Sequence, residues 1–116
     1  MEIDLEIVDE ASLPALVALA QLYQYDFSEI EGGITGPDGR FGYLDDLPDR
    51  LIDPNASAWL FRVTDPHFHV ATLAGFALVL PVAEGFANWT IDEFFVLRKY
   101  RRLGVGRAAE IGRAHV

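Results

Sequence analysis

Between Asp92 and Ala109 the chain reads DEFFVLRKYRRLGVGRAA, and here residue type and spacing point to chemistry. Phe94-Phe95-Val96-Leu97 is an apolar run of strand type. It gives way at once to Arg98-Lys99-Tyr100-Arg101-Arg102, then to Leu103-Gly104-Val105-Gly106, then to the good helix formers Arg107-Ala108-Ala109-Glu110. Strand, basic glycine loop and helix start together form an anion site. Glycine lets backbone approach a ligand closely, and the free amides of a helix start, with the macrodipole, favour negative charge. The ligand this predicts is a phosphate or pyrophosphate. The competing reading of the same charges is a solvated helix face.

The distribution of charge sharpens the choice. The 116 residues carry 9 basic and 18 acidic side chains, a formal net charge of -9. That balance argues against a nucleic-acid partner, which needs cationic surface to displace counterions. Yet only Arg40, Arg50 and Arg62 precede position 98, and the other six basic residues fall between Arg98 and Arg113. On an acidic background this local cluster can select one anionic ligand.

The elements that must position the loop follow from periodicity. Ile3–Ile7 alternates apolar and acidic, as a half-buried strand does. Ser12 fits an N-cap and Pro14 a first helical turn. Leu13, Leu16, Val17, Ala20, Tyr23, Phe27 and Ile30 then recur at spacings of three and four, one face of an amphipathic helix. At its end Tyr25-Asp26-Phe27-Ser28-Glu29 interleaves rings with polar groups, either the helix's wet side or a wall of a substrate pocket that includes Tyr25 and Asp26. Gly32 is placed to end the helix. Pro37-Asp38-Gly39 is a turn, and Leu47–Ile52 allows a short helix. Ala58–Val63 and Val70–Leu80 are strands, the second apolar enough to be covered on both faces. Gly75 within it suggests a bulge. Glu84-Gly85 turns the chain back into a strand over Asn88–Leu97. The expected class is α+β: a mixed α/β sandwich with a central, mostly antiparallel sheet flanked by helices.

Other chemistries find little support. The chain has no cysteine, hence no thiol nucleophile, disulfide or thiolate zinc site. His67 and His69 would share a face on a strand, but a third metal ligand is missing, and exposed turn histidines are the ordinary explanation. No serine sits in a nucleophile-elbow context. No apolar stretch approaches the roughly 20 residues of a membrane span, and the acidic Met1–Asp4 start is unlike a signal peptide. The expectation is a cytoplasmic protein without metal, membrane or nucleic-acid partners.

Arg101-Arg102-Leu103-Gly104-Val105-Gly106 resembles the Arg/Gln-x-x-Gly-x-Gly/Ala motif of the GNAT superfamily, the GCN5-related N-acetyltransferases. The context is similar too: an apolar strand, a basic segment with Tyr100, then a helix, preceded by β-α-α-β-β-β order. The Tyr25–Ser28 run and Asp38-Gly39-Arg40 resemble a bacterial predicted-acetyltransferase subgroup. The resemblance implies the N-terminal part of the acyl-CoA N-acyltransferase fold and transfer of an acetyl group from acetyl-CoA to a small-molecule or peptide amine. It implies pyrophosphate contacts from Arg101 and the loop amides of Arg102, Leu103, Gly104, Val105, Gly106 and Arg107. Pantetheine would pair with the strand backbone at Phe95, Val96 and Leu97. Direct attack by a neutral amine needs a base, and the resemblance points to Glu93.

Two alternatives stand beside this. Gly104-Val105-Gly106-Arg107-Ala108-Ala109 also spells the G-x-G-x-x-A of dinucleotide binding, but charged residues intervene after the strand and no acidic ribose ligand follows. The chain would also serve as a CoA-binding or self-associating module without catalysis, as a homo-oligomer paired through an exposed sheet edge. The sequence predicts a partial acetyltransferase domain over 1–110 and a non-native tail over 111–116. That tail, Ile111–Val116, is the peptide that ATC GGA AGA GCA CAC GTC would encode, a common sequencing-adapter run whose next in-frame codon is a stop. The later strands and the general acid of the family are then expected to be missing.

Overall fold

The computed structural model describes residues 2–81, 89–101 and 103–107, with positions 81 and 89 described by backbone alone. The expected turn at Glu84-Gly85, the ligand role of Arg102, the helix formers from Ala108 onward and the suspected tail lie outside the described residues.

The elements run β1 (Ile3–Ile7), α1 (Leu13–Glu31), α2 (Leu47–Arg50), β2 (Ser57–Thr64), β3 (Ala71–Pro81), β4 (Trp89–Val96) and α3 (Arg98–Arg101). The four strands form one sheet in the order β1-β2-β3-β4, every neighbouring pair antiparallel. This is an α+β domain. Among the described residues no helix is long and apolar enough to cross a membrane.

The apolar run that suggests two-sided burial is β3, whose residues from Ala74 to Val79 are all buried. Phe76 and Leu78 face a core closed by Leu16, Leu19 and Ala20 of α1 and by Leu44 and Leu47 around α2. Ala74 and Ala77 face the opposite core, filled by Phe61, Val63, Val96, Tyr100 and Val105. Each large apolar side chain so enclosed contributes about 1.5–3 kcal/mol before entropy is counted.

Two irregularities set side-chain direction. Phe61 pairs with Gly75 but Arg62 with Leu73, so Ala74 is an extra residue in β3, beside the glycine that suggested a bulge. Gly75 is there for contact as well: a Cβ on it would lie 2.0 Å from the Phe95 carbonyl oxygen of β4. The second shift leaves Asp92 extra in β4, because Leu78 pairs with Glu93 and Val79 with Ile91. Alternation is suspended there, and the adjacent Asp92 and Glu93 reach the same side of the sheet, the side that carries α1.

Helix α1 departs from its expected pattern, and Phe27 of the expected apolar face is exposed at 37%. Ser12 holds the N-cap position but its hydroxyl makes no bond to a helix amide; it exchanges bonds with Asp9, whose amide donates to Ser12 Oγ and whose Oδ1 accepts from the Ser12 amide, each at 3.0 Å. Leu19 and Gln24 are buried although the apolar periodicity passes over them, and Ile30 is exposed. Gly32 ends the helix in the left-handed region (φ 76°), its amide donating to the Ser28 carbonyl. His67 and His69 are exposed in the turn after β2, not on a strand.

Candidate functional site

Glu93 stands at the centre of the site. Carried by the bulged part of β4, it points toward α1 and is only 7% exposed. Its two carboxylate oxygens accept separate bonds: Tyr23 Oη of α1 donates to Oε2, and Tyr43 Oη donates to Oε1 at 3.0 Å. Burial, then the bond to Glu93, pushes the Tyr23 hydroxyl pKa up. The bond to Glu93, then its charge, does the same for Tyr43. Both phenols therefore stay protonated donors at neutral pH, and the acceptor they share is the glutamate.

Tyr43 reaches Glu93 because the glycine-rich segment before α2 is pinned to α1. Gln21 donates from Nε2 to the Phe41 carbonyl at 2.8 Å and accepts from the Phe41 amide at 2.9 Å, a side chain acting as a strand partner. Arg50 secures the other side. It pairs with Asp46 at 3.0 Å and with Asp92 at 3.3 Å, and its guanidinium lies 5.7 Å from the Tyr43 ring centre.

Tyr23, Phe41, Tyr43, Asp92 and Glu93 border a cleft of about 370 Å³ between the end of α1, the Phe41–Tyr43 segment and β4. Its charged lining, among the described residues, is wholly acidic: Glu31, Asp92 and Glu93. Gln24, Phe27 and Ser28 of α1 complete the helix wall.

A second cleft, of about 520 Å³, lies one step along β4. It is bordered by Phe94, Phe95 and Val96, by Gly104, Gly106 and Arg107, and by Asp26, Phe27, Ile30 and Arg101. Gly104 has φ 77°, and a Cβ on it would meet nothing within 4 Å; the turn presents bare backbone to open space. Phe27 borders both clefts. The basic segment is less free than a bare loop. Arg98 pairs with Asp26 at 2.5 Å, and Arg101 pairs with Asp26 while donating from Nε to the Val96 carbonyl at 2.8 Å. Those two guanidiniums hold the Asp26 carboxyl below the usual carboxylate range, Arg101 first.

Most of the residues singled out in the sequence are gathered here. Phe95, Val96, Arg101, Gly104, Gly106 and Arg107 border the second cleft and Glu93 the first. Val105 turns its side chain into the core at 2% exposure, Leu97 packs against both cores, and Leu103 is exposed. Asp26 lies in the second cleft, away from Glu93. Tyr25 is 66% exposed and borders neither cleft. Two residues beyond Tyr23 on a helix, it points about 200° away from it. Sequence reasoning missed Tyr43, Gln24 and Asp92, and took Tyr23 for core alone. The pinned loop brings in Tyr43 and the bulge Asp92, and neither leaves a periodic signal; Tyr23 and Gln24 ride on α1, where Gln24 is polar and so falls outside the apolar pattern.

Asp65 at the end of β2 forms a separate, closed knot. At 1% exposure it accepts from Tyr100 Oη at 2.6 Å and from the His67 and Phe68 amides, and pairs with Lys99 at 2.6 Å. This fixes α3 against the β2–β3 turn. Among the described residues no cluster of three or more His, Cys, Asp or Glu could hold a metal ion. No protein-family model matches this sequence, and no curated protein matches it significantly.

Proposed function

We propose that the chain carries the amine and acetyl-CoA sites of a GNAT-type N-acetyltransferase. The observation that supports this reading is a pair of adjoining clefts of opposite character along one strand. One is acidic around Glu93; the other has the glycine turn with Arg101 and Arg107. An amine belongs in the first and a phosphorylated carrier in the second. The two reactants meet where Phe27 borders both.

Acetyl-CoA, as cosubstrate, supplies the activated acyl group. Residues present suit it: the Gly104 turn leaves the room that a Cβ would fill, and two arginines border the same space. The chain's own part is to bind and to move a proton. The amine nitrogen attacks the thioester carbonyl, an N–C bond forms as the C–S bond breaks, and CoA leaves as thiolate. Glu93 accepts the amine's proton, directly or through water, while Tyr23 and Tyr43 hold the carboxylate in place. No enzyme nucleophile takes part.

The test is CoA release from acetyl-CoA against a panel of amines, with Glu93→Gln as the variant. Turnover is expected to fall by roughly 10²–10⁴-fold, the scale of general base catalysis, with CoA affinity unchanged. The loss shrinks as pH rises and more amine is already neutral. An unaffected Glu93→Gln variant would remove the assigned base.

A further inference from the structure

We infer that the acidic cleft takes an amine with at least two cationic nitrogens, a diamine or polyamine, and that Gln24 and Glu31 bind the nitrogen that does not react. The inference rests on the acetyltransferase reading only for which nitrogen reacts; the cation site stands on its own geometry. Gln24 is 7% exposed, borders the cleft, and its Oε1 has no hydrogen-bond partner among the described residues. The amide cannot be turned to hide this. Its Nε2 donates to the Ala20 carbonyl at 2.9 Å, and only a nitrogen can face that oxygen. A buried acceptor left unpaired costs about as much as a lost hydrogen bond or more, so a donor arriving there is strongly favoured.

Around that acceptor the lining has surplus negative charge. Glu31, Asp92 and Glu93 border the cleft without any Lys, Arg or His beside them among the described lining residues, and Arg50 offsets Asp92 from outside. A nitrogen about to attack a thioester is neutral, so it cannot satisfy these groups by itself. An ammonium carries three donors and no acceptor, which suits an amide oxygen and a carboxylate together. Gln24, Ser28 and Glu31 recur at four and three residues along one face of α1. That row spans about 10 Å of helix axis. It leads from beside Tyr23, which holds Glu93, to an exposed carboxylate at the mouth. An extended chain bearing two or three amino groups fits such a row; a compact monoamine leaves its outer part unused.

Calorimetric titration of the 116-residue chain near pH 7 tests this with 1,4-diaminobutane, spermidine and n-butylamine, with CoA titrated in parallel. The polyamines are expected to bind roughly tenfold or more tighter than n-butylamine, an advantage that shrinks with added salt. Gln24→Leu is expected to weaken spermidine roughly 10- to 100-fold by removing a charge-assisted bond. Glu31→Gln, a change at an exposed position that leaves the core intact, is expected to weaken spermidine about two- to fivefold and n-butylamine not at all. CoA affinity stays the same in both. Equal affinity for mono- and polyamines would overturn the inference, and so would an unchanged polyamine preference in Glu31→Gln, even if Gln24→Leu fails to fold. CoA binding without polyamine preference sinks this inference alone. Polyamine preference without CoA binding sustains the cation site and sinks the acetyltransferase reading.

Discussion

Glu93 and Asp65 are both buried carboxylates with tyrosine donors, yet their surroundings give them different work. Glu93 has two phenols and an open cleft, so an incoming proton or amine can reach it. Asp65 has Lys99, Tyr100 and two backbone amides, and it borders neither cleft. Lys99 foremost, then Tyr100, holds the Asp65 carboxyl well below the usual carboxylate range. A carboxyl depressed in the folded state contributes stability that is fully present above its unfolded value of about 4 and is lost as pH falls toward the folded value. Urea midpoints measured from neutral pH down to about pH 2.5 are therefore expected to fall more steeply below about pH 4 in the wild type than in Asp65→Asn. Parallel profiles would show that the knot adds nothing. The resemblance singles out Glu93, but the Asp65 knot is not legible from sequence. Asp65 reads as a turn residue before Pro66, and Lys99 and Tyr100 lie more than 30 positions away.

At the scale of elements the sequence is far more informative. Period-two and period-three-to-four patterns place β1, α1 and the three-strand meander, because burial on a sheet or helix face imposes those periods. What periodicity cannot show is where it is interrupted. The extra residue at Asp92 turns two neighbouring carboxylates into one cleft, and Gln21 ties down a segment with no apolar pattern at all. Gly75 is the exception, since a glycine inside an apolar strand signals an irregularity through its residue type alone. A methyl group there would overlap the Phe95 carbonyl of β4, a backbone atom that cannot rotate away. Gly75→Ala is expected to cost about 3 kcal/mol or more, the upper end of overpacking effects, in urea denaturation. A loss under about 1 kcal/mol would mean that β4 moves aside freely.

For the whole molecule, the uneven charge seen in the sequence is divided between two clefts, with Glu31, Asp92 and Glu93 at one and Arg101, Arg107 and the Arg101-paired Asp26 at the other. β4 lines both and is the last strand in the sheet order. Its outer edge, among the described residues, pairs with no other strand, and such edges recruit strands from other chains. Concentration-dependent oligomers are expected on size exclusion, shifting toward monomer when CoA occupies the Phe95–Leu97 backbone; a monomer at every concentration would contradict this. We propose that the glycine turn beside Arg101 and Arg107 holds a pyrophosphate. Calorimetric titration of the chain with CoA, with pantetheine lacking the phosphates, and with NAD tests this. CoA is expected to bind more tightly than either, with affinity falling as salt is added. Gly104→Val, which puts a branched side chain on a left-handed backbone facing that space, is expected to abolish the difference between CoA and pantetheine. Equal affinity for CoA and pantetheine in the wild type would contradict the assignment, and a preference for NAD would hand the loop to the dinucleotide reading.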